Sequence, residues 1–161
     1  MKIKNYIQKI IALASVVLTL SCIFSPVSYA ASESFTVDGN KENGYVFENT
    51  TGHEQTFSFT AEGEWSIFRS GEDNWFGPNG DPTNESLNIY GPEDLKHSEF
   101  VVASLLAENE GDRGVSEIGN QGTITIPKDG SATLLMNDVP GTYGDNRGLV
   151  TVEVNWDEPQ S

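Results

Sequence analysis

The sequence predicts an all-β protein: a single antiparallel β-sandwich, jelly-roll-like, of about eight or nine short strands. Three observations carry that expectation. Short runs alternate apolar and polar residues, clusters of Gly, Asn, Asp and Pro separate them, and residues 31–161 sustain no helical period.

Residues 1–30 stand apart. Lys2, Lys4 and Lys9 form a positive start, and residues 10–30 carry no charge. Pro26 interrupts the apolar run, and Ser28-Tyr29-Ala30 places small residues where a leader peptidase reads them. A secretory signal peptide cut after Ala30 is expected, leaving 31–161 as the folded domain in a secreted or periplasmic protein. An uncleaved anchor is the competing reading, because the run is nearly long enough to span a bilayer. Thr19-Leu20-Ser21 matches a lipoprotein signal poorly, and cleavage after Ala30 would remove Cys22, the only cysteine.

All 24 acidic residues lie after Ala30, but only six of the nine basic ones do. Nucleic acid and anionic membrane both require positive surface, so neither is expected as a partner.

The strands follow in order. Residues 34–37 and 45–48 flank Asp38-Gly39-Asn40, a strong turn signal. Residues 55–60 and 64–69 read as two alternating strands, with Phe57, Phe59, Trp65 and Ile67 facing inward. Residues 70–86 read as one long loop without a strand pattern, a length that usually marks a functional segment. Residues 87–90 resume a strand, and 100–107 read as a central one. After the acidic loop 108–114, residues 123–127 and 131–136 are strands joined by a hairpin-type turn at Lys128-Asp129-Gly130. Residues 149–156 form the last strand, with Val150, Val152 and Val154 alternating against Thr151, Glu153 and Asn155.

One stretch carries the chemistry: Asn137-Asp138-Val139-Pro140-Gly141-Thr142-Tyr143-Gly144-Asp145-Asn146-Arg147-Gly148, between two apolar runs. Pro140-Gly141 demands a turn that draws the ends together. Calcium takes six to eight oxygen ligands, and this loop clusters them. Asp138 and Asp145 supply charge, Asn146 a neutral oxygen, and a backbone carbonyl near Thr142 a further position. The alternative is that these Asp and Asn side chains only bond their own backbone, as they do in many turns. His53 and His97 are the only histidines, which disfavours zinc, and the spacing does not follow an EF-hand.

Other groups have plainer readings. Trp75 and Phe76 could stack on a sugar ring, but aromatics in a long loop more often plug it onto the sandwich. Glu108, Glu110 and Asp112 could hold a second cation, or form a solvated acidic loop. Glu62 and Glu64 would share a strand face, a placement some glycosidases use, but two glutamates in so acidic a chain are weak support.

Asn137 to Asn146 resembles the calcium loop of the PA-I galactophilic lectin family, soluble bacterial sugar-binding proteins, departing from that family's pattern only at Asp145, where the family has asparagine. Ile118-Gly119-Asn120-Gln121-Gly122-Thr123-Ile124 resembles a segment upstream of that loop, and Trp65 with Trp75…Gly77-Pro78-Asn79-Gly80-Asp81 resembles the sugar-side loop. The resemblance implies a lectin-like β-sandwich over 31–161 whose calcium is bound by protein and sugar together. Metal ligands would be the side chains of Asp138, Asp145 and Asn146 and the backbone carbonyls of Thr142 and Phe68. Asp138, Val139, Thr142 and Asp145 would touch a terminal galactose-type sugar. The family's histidine and glutamine that hold the galactose 6-hydroxyl are absent, and Asn84 is the nearest substitute. Family members assemble into tetramers. The sequence therefore leads to a secreted, calcium-dependent carbohydrate-binding protein without enzymatic activity. A calcium-stabilised adhesion module and a small glycosidase are the alternatives.

Overall fold

A computed structural model describes residues 29–69, 72–87, 89–110 and 114–158, without the side chains of 29, 68, 69, 72 and 73. Residues 1–28 of the expected signal peptide, Cys22 among them, and Asp112 fall outside the described residues, while Tyr29 and Ala30 begin the first strand. Among the described residues no helix is long and apolar enough to cross a membrane.

Among the described residues nine strands fall into two sheets. They are β1 (Tyr29–Asp38), β2 (Tyr45–Glu48), β3 (Gln55–Arg69), β4 (Glu72–Phe76), β5 (Leu105–Asn109), β6 (Val115–Glu117), β7 (Gln121–Ile126), β8 (Ser131–Met136) and β9 (Arg147–Glu158). One sheet runs β1-β9-β3-β4, with β7 also on β3; the other runs β2-β8-β5-β6. β3 is the spine. Its first half pairs with β7, its last residues with β4, and its opposite edge with β9 from Ser58 to Ser66. Fifteen residues at about 3.3 Å each give it the reach to carry all three.

Alternation explains the core. Phe57, Phe59, Ala61 and Trp65 from β3 and Val150, Val152 and Val154 from β9 are buried, facing Phe47, Ala132, Leu134 and Met136 of the second sheet. Phe35 stacks on Tyr45 at 4.0 Å, and Phe47 meets Phe57 edge-on at 5.0 Å. Trp65 donates its Nε1 hydrogen to the Ala103 carbonyl at 2.8 Å, giving the buried indole the partner it needs.

The all-β sandwich is as the sequence predicts, but several elements differ. The two strands expected over 55–60 and 64–69 are one. Gly63 lies between them at φ +117°, and the pairing with Val150 of β9 carries the ladder through. The loop expected over 70–86 contains β4, whose polar sequence hides a strand that takes its register from β3. Within β4, Phe76 packs against the core while Trp75 is half exposed. In place of a strand at 87–90 there is a single 3-10 turn, Glu85–Leu87, with Leu87 buried and Ile89 and Tyr90 exposed. The strand expected at 100–107 begins only at Leu105, because Val102 and Ala103 form a turn with Ala103 at φ +60°. The turn at Lys128-Asp129-Gly130 is not a hairpin: β7 and β8 lie in opposite sheets, so it is a corner of the sandwich.

Candidate functional site

The loop from Asn137 to Asn146 leaves β8 in one sheet and enters β9 in the other, so it crosses the end of the sandwich. Its first residue is an anchor. Asn137 is fully buried; its Nδ2 donates to the carbonyls of His97, Phe100 and Val101, and its Oδ1 accepts the His97 N–H. Tyr143 braces the loop from within. Its hydroxyl donates to the Met136 carbonyl at 2.9 Å and accepts the Asp138 N–H at 3.3 Å. Burial, with the nearby Asp138 charge, pushes the Tyr143 phenol well above its ordinary range, so it stays a donor.

Hydrogen bonds draw Asp138, Asn146 and Thr142 together, and Asp145 lines the same hollow as Asp138 and Thr142, whereas Asn146 is not among its lining residues. Asp138 is 2 % exposed, and both of its carboxylate oxygens are engaged. Oδ1 accepts the Val139 N–H at 2.7 Å; Oδ2 accepts Asn146 Nδ2 at 2.7 Å and the Thr142 hydroxyl at 3.3 Å. Burial raises the Asp138 pKa, the hydrogen bonds oppose this, and the Asp145 charge adds to the rise. Asn146 also donates to the Gly39 carbonyl, tying the loop to the turn after β1. Its Oδ1 is buried with no hydrogen-bond partner among the described residues. A buried amide oxygen without a donor, beside a buried carboxylate, fits a cation.

A hollow of about 210 Å³ opens beside these groups, lined by Ile67, Ser86, Leu87, Ile89, Tyr90, Asp138, Thr142 and Asp145. Ile67 lines the hollow, and Phe68 next to it pairs with Asp73 across β3 and β4. The Thr142 carbonyl accepts the Asp145 N–H at 3.2 Å, leaving one lone pair for anything else. Val139, although buried in the loop, and Asn84 are not among the lining residues. The Asn84 Oδ1 accepts the Val102 N–H at 2.8 Å, and its backbone is held at φ +56°. Its amide oxygen is spent on the loop rather than turned to the hollow.

Among the described residues no three His, Cys, Asp or Glu side chains gather to hold a metal, so a cation here would rely on amide and carbonyl oxygens as well. The suggested second cation site has another use for its carboxylates. Glu108 pairs with Lys96 at 3.0 Å and His97 at 2.7 Å, and Glu110 accepts the Ser131 hydroxyl. Glu62 and Glu64 are both exposed. Sequence reasoning missed Ser86, whose turn was read as loop and strand, and the anchoring of Asn137.

A two-sheet antiparallel sandwich with a small oxygen-rich hollow at one end has the form of a binding module. The profile of the PA-IL-like protein family matches residues 33–159, and the chain belongs to that family. A protein named Lectin A from Photorhabdus laumondii is 36% identical over 123 residues, covering 75% of this chain and 88% of the relative. Among solved structures, the N-terminal domain of EclA, described as a PllA-like lectin, shares 22% identity with a TM-score of 0.46, covering 76% of this chain and 94% of that one.

Proposed function

We propose that this protein is a carbohydrate-binding lectin that holds a calcium ion at the Asp138–Asn146 loop and through it a terminal galactose-type sugar. Membership of the PA-IL-like family and the relative named Lectin A support carbohydrate binding. The observation that carries the calcium is the buried, unpartnered Oδ1 of Asn146 beside the Asp138 carboxylate.

The ligand set is Asp138, Asp145 and Asn146 through side chains, with the Thr142 and Phe68 carbonyls. Calcium would neutralise two carboxylates, one of them buried, and offer open positions to sugar hydroxyls. The chain's own work is to hold the oxygens still: Val139 N–H fixes one oxygen of Asp138 while Asn146 and Thr142 fix the other. Ile67 and Leu87 give the hollow an apolar wall for the ring face of a pyranose. No catalytic role is assigned, and Glu62 and Glu64 belong to the acidic surface. Residues 1–30 would serve export to the periplasm or medium, and assembly into a homo-oligomer would add avidity to weak single sites.

Titration calorimetry with methyl galactoside, in millimolar calcium and again with a chelator, tests the reading. Binding in calcium alone is expected; binding unaffected by chelation would sink the calcium half. A second reading, a calcium-stabilised adhesion module, draws support from Asn84, whose oxygen is turned to Val102. It predicts a calcium-dependent melting temperature with no galactoside binding.

A further inference from the structure

Two glycines of the Asn137–Asn146 loop stand in the open. Gly141, at φ +85°, and Gly144 have no atom within 4 Å of where a Cβ would sit, their chain neighbours aside. Packing therefore does not hold the loop at either place. Each glycine is held instead by one polar side chain that reaches over from the turn between β1 and β2. Asn40 Nδ2 donates to the Gly144 carbonyl at 3.2 Å, and Glu42 Oε2 accepts the Gly141 N–H at 3.4 Å. Asn40 Nδ2 also lies 3.5 Å from the Asn146 carbonyl.

The β1–β2 turn is stiff enough to serve as a support. Asp38 Oδ1 accepts the Asn40 N–H at 3.0 Å, and the carbonyls of Asp38 and Lys41 accept the N–H groups of Lys41 and Gly44, also at 3.0 Å. Gly44, at φ +59°, lies on the Leu134 backbone of β8, too close for any side chain. At the other end Gly39 is buried; its N–H donates to the Gly148 carbonyl at 3.2 Å, and its own carbonyl accepts Asn146 Nδ2 at 3.2 Å. The turn is thus seated on a strand of each sheet.

Asn40 is exposed and Glu42 only half-buried, so neither is there to fill the core. Gly144 is the middle residue of the 3-10 turn Tyr143–Asp145, and holding its carbonyl sets the direction in which the exposed Asp145 leaves the loop. Glu42 brings charge as well. Burial pushes the Tyr143 phenol up, and the carboxylates of Asp138 and then Glu42 add to the rise, so the Glu42 field reaches the inside of the loop. Calcium affinity follows the charge at a site and how firmly its oxygens are held, and groups that only orient the ligands share in both.

We propose that Asn40 and Glu42 are positioning residues for the cation loop: Asn40 aims Asp145 through the Gly144 carbonyl, while Glu42 pins the Pro140-Gly141 turn and lends the site negative charge without being a ligand. This rests on the calcium reading.

The test is calcium titration calorimetry of wild type, Asn40→Ala, Glu42→Ala and Glu42→Gln, with 15N relaxation and melting temperatures measured in chelator. In chelator, Asn40→Ala should lower the order parameter of Gly144 and Glu42→Ala that of Gly141. Each should weaken calcium by about two- to fivefold, the scale of one surface interaction. Glu42→Gln keeps an acceptor for Gly141 and drops the charge, so Gly141 should stay ordered and the loss of affinity should fade at high salt. In an Asp145→Ala background most of the Asn40→Ala loss should disappear, which a merely structural role does not produce. Melting temperatures in chelator should stay within about 2 °C of wild type. Variants that bind calcium as wild type does overturn the proposal and leave the calcium reading standing. A fall of about 5 °C or more in chelator also overturns it, because the turn would then hold the fold rather than the loop. Wild-type protein that binds no calcium overturns both.

Discussion

Asn146 Nδ2 donates to Asp138 Oδ2 at 2.7 Å, while the Oδ1 of the same amide is buried without a partner. The orientation is forced. Turning the amide over would set its oxygen against both the Asp138 carboxylate and the Gly39 carbonyl, two acceptors with no proton between them. The free oxygen is thus the consequence of fixing Asp138, and the two residues act as a unit. One is oriented by the other.

Replacing Asn146 with Asp separates a metal ligand from a structural amide. Without calcium the variant sets two carboxylates against each other in a buried place and loses the Nδ2 hydrogen bonds. It should be less stable than wild type by about 3 kcal/mol. With calcium the added charge should strengthen cation binding and widen the calcium-dependent shift in melting temperature. Thermal unfolding in calcium and in chelator reads both effects. If calcium fails to rescue Asn146→Asp, the free Oδ1 does not face a cation.

Asp138 and Asp145 should differ in kind. Asp138 is buried and organises three donors, whereas Asp145 is exposed. Asp138→Asn turns an NH2 toward one of those donors, and should abolish the calcium response and galactoside binding together. Asp145→Asn removes an exposed charge, and should weaken calcium by about tenfold or less while sugar binding survives at saturating calcium. Equal losses from both would show that the burial difference is irrelevant to the site.

Much of this was legible in the residues, for identifiable reasons. Val150, Val152 and Val154 alternate because one face of β9 is core, and that pattern needs no neighbour to be read. The clustering of Asp138, Asp145 and Asn146 follows from a short loop whose turn residues bring its ends together. β4 was not legible, because Glu72-Asp73-Asn74 has no strand character and pairs only since β3 extends beside it. The sheet change at Lys128-Asp129-Gly130 was equally hidden: a local turn signal does not say which sheet receives the next strand. Ser86 escaped because a serine beside Asn84 and Glu85 reads as solvated loop, and its burial is set by distant packing.

Glu108 gives a pH dependence with a definite sign. Burial alone would raise its pKa, but His97 and Lys96 bind its carboxylate and bring it below the ordinary 4.5. A depressed folded pKa means that the stability from Glu108 is present above about pH 4.5 and is lost as pH falls through the lower folded value. The chain carries many other carboxylates, so the informative quantity is the difference between wild type and Glu108→Gln. That difference, followed by urea unfolding from pH 7 to pH 3, should be largest near neutrality and shrink toward zero in acid. A difference that is flat with pH would remove the pair from the account.

Asn137 offers the sharpest structural test, because its amide is used from both ends. Nδ2 serves three carbonyls and Oδ1 one N–H, all on the segment His97 to Val101, and the residue has no exposed surface. The residues flanking that segment are tied to the loop through their backbone: Lys96 N–H donates to the Asp138 carbonyl at 2.9 Å and Ala103 N–H to the Asn137 carbonyl at 2.7 Å. Asn137→Ala removes the side-chain bonds and leaves a small void, at a cost of about 3 kcal/mol. Asn137→Asp keeps the acceptor for His97 but aims a carboxylate oxygen at three carbonyls with no water to screen it. It should therefore be less stable than Asn137→Ala, although its shape is nearly that of asparagine. Because the clamp also positions Asp138, both variants should bind calcium more weakly than wild type at temperatures where they remain folded. Urea midpoints and calcium titrations check the order wild type, Ala, Asp, and an aspartate variant as stable as wild type would show that Nδ2 does not hold the segment.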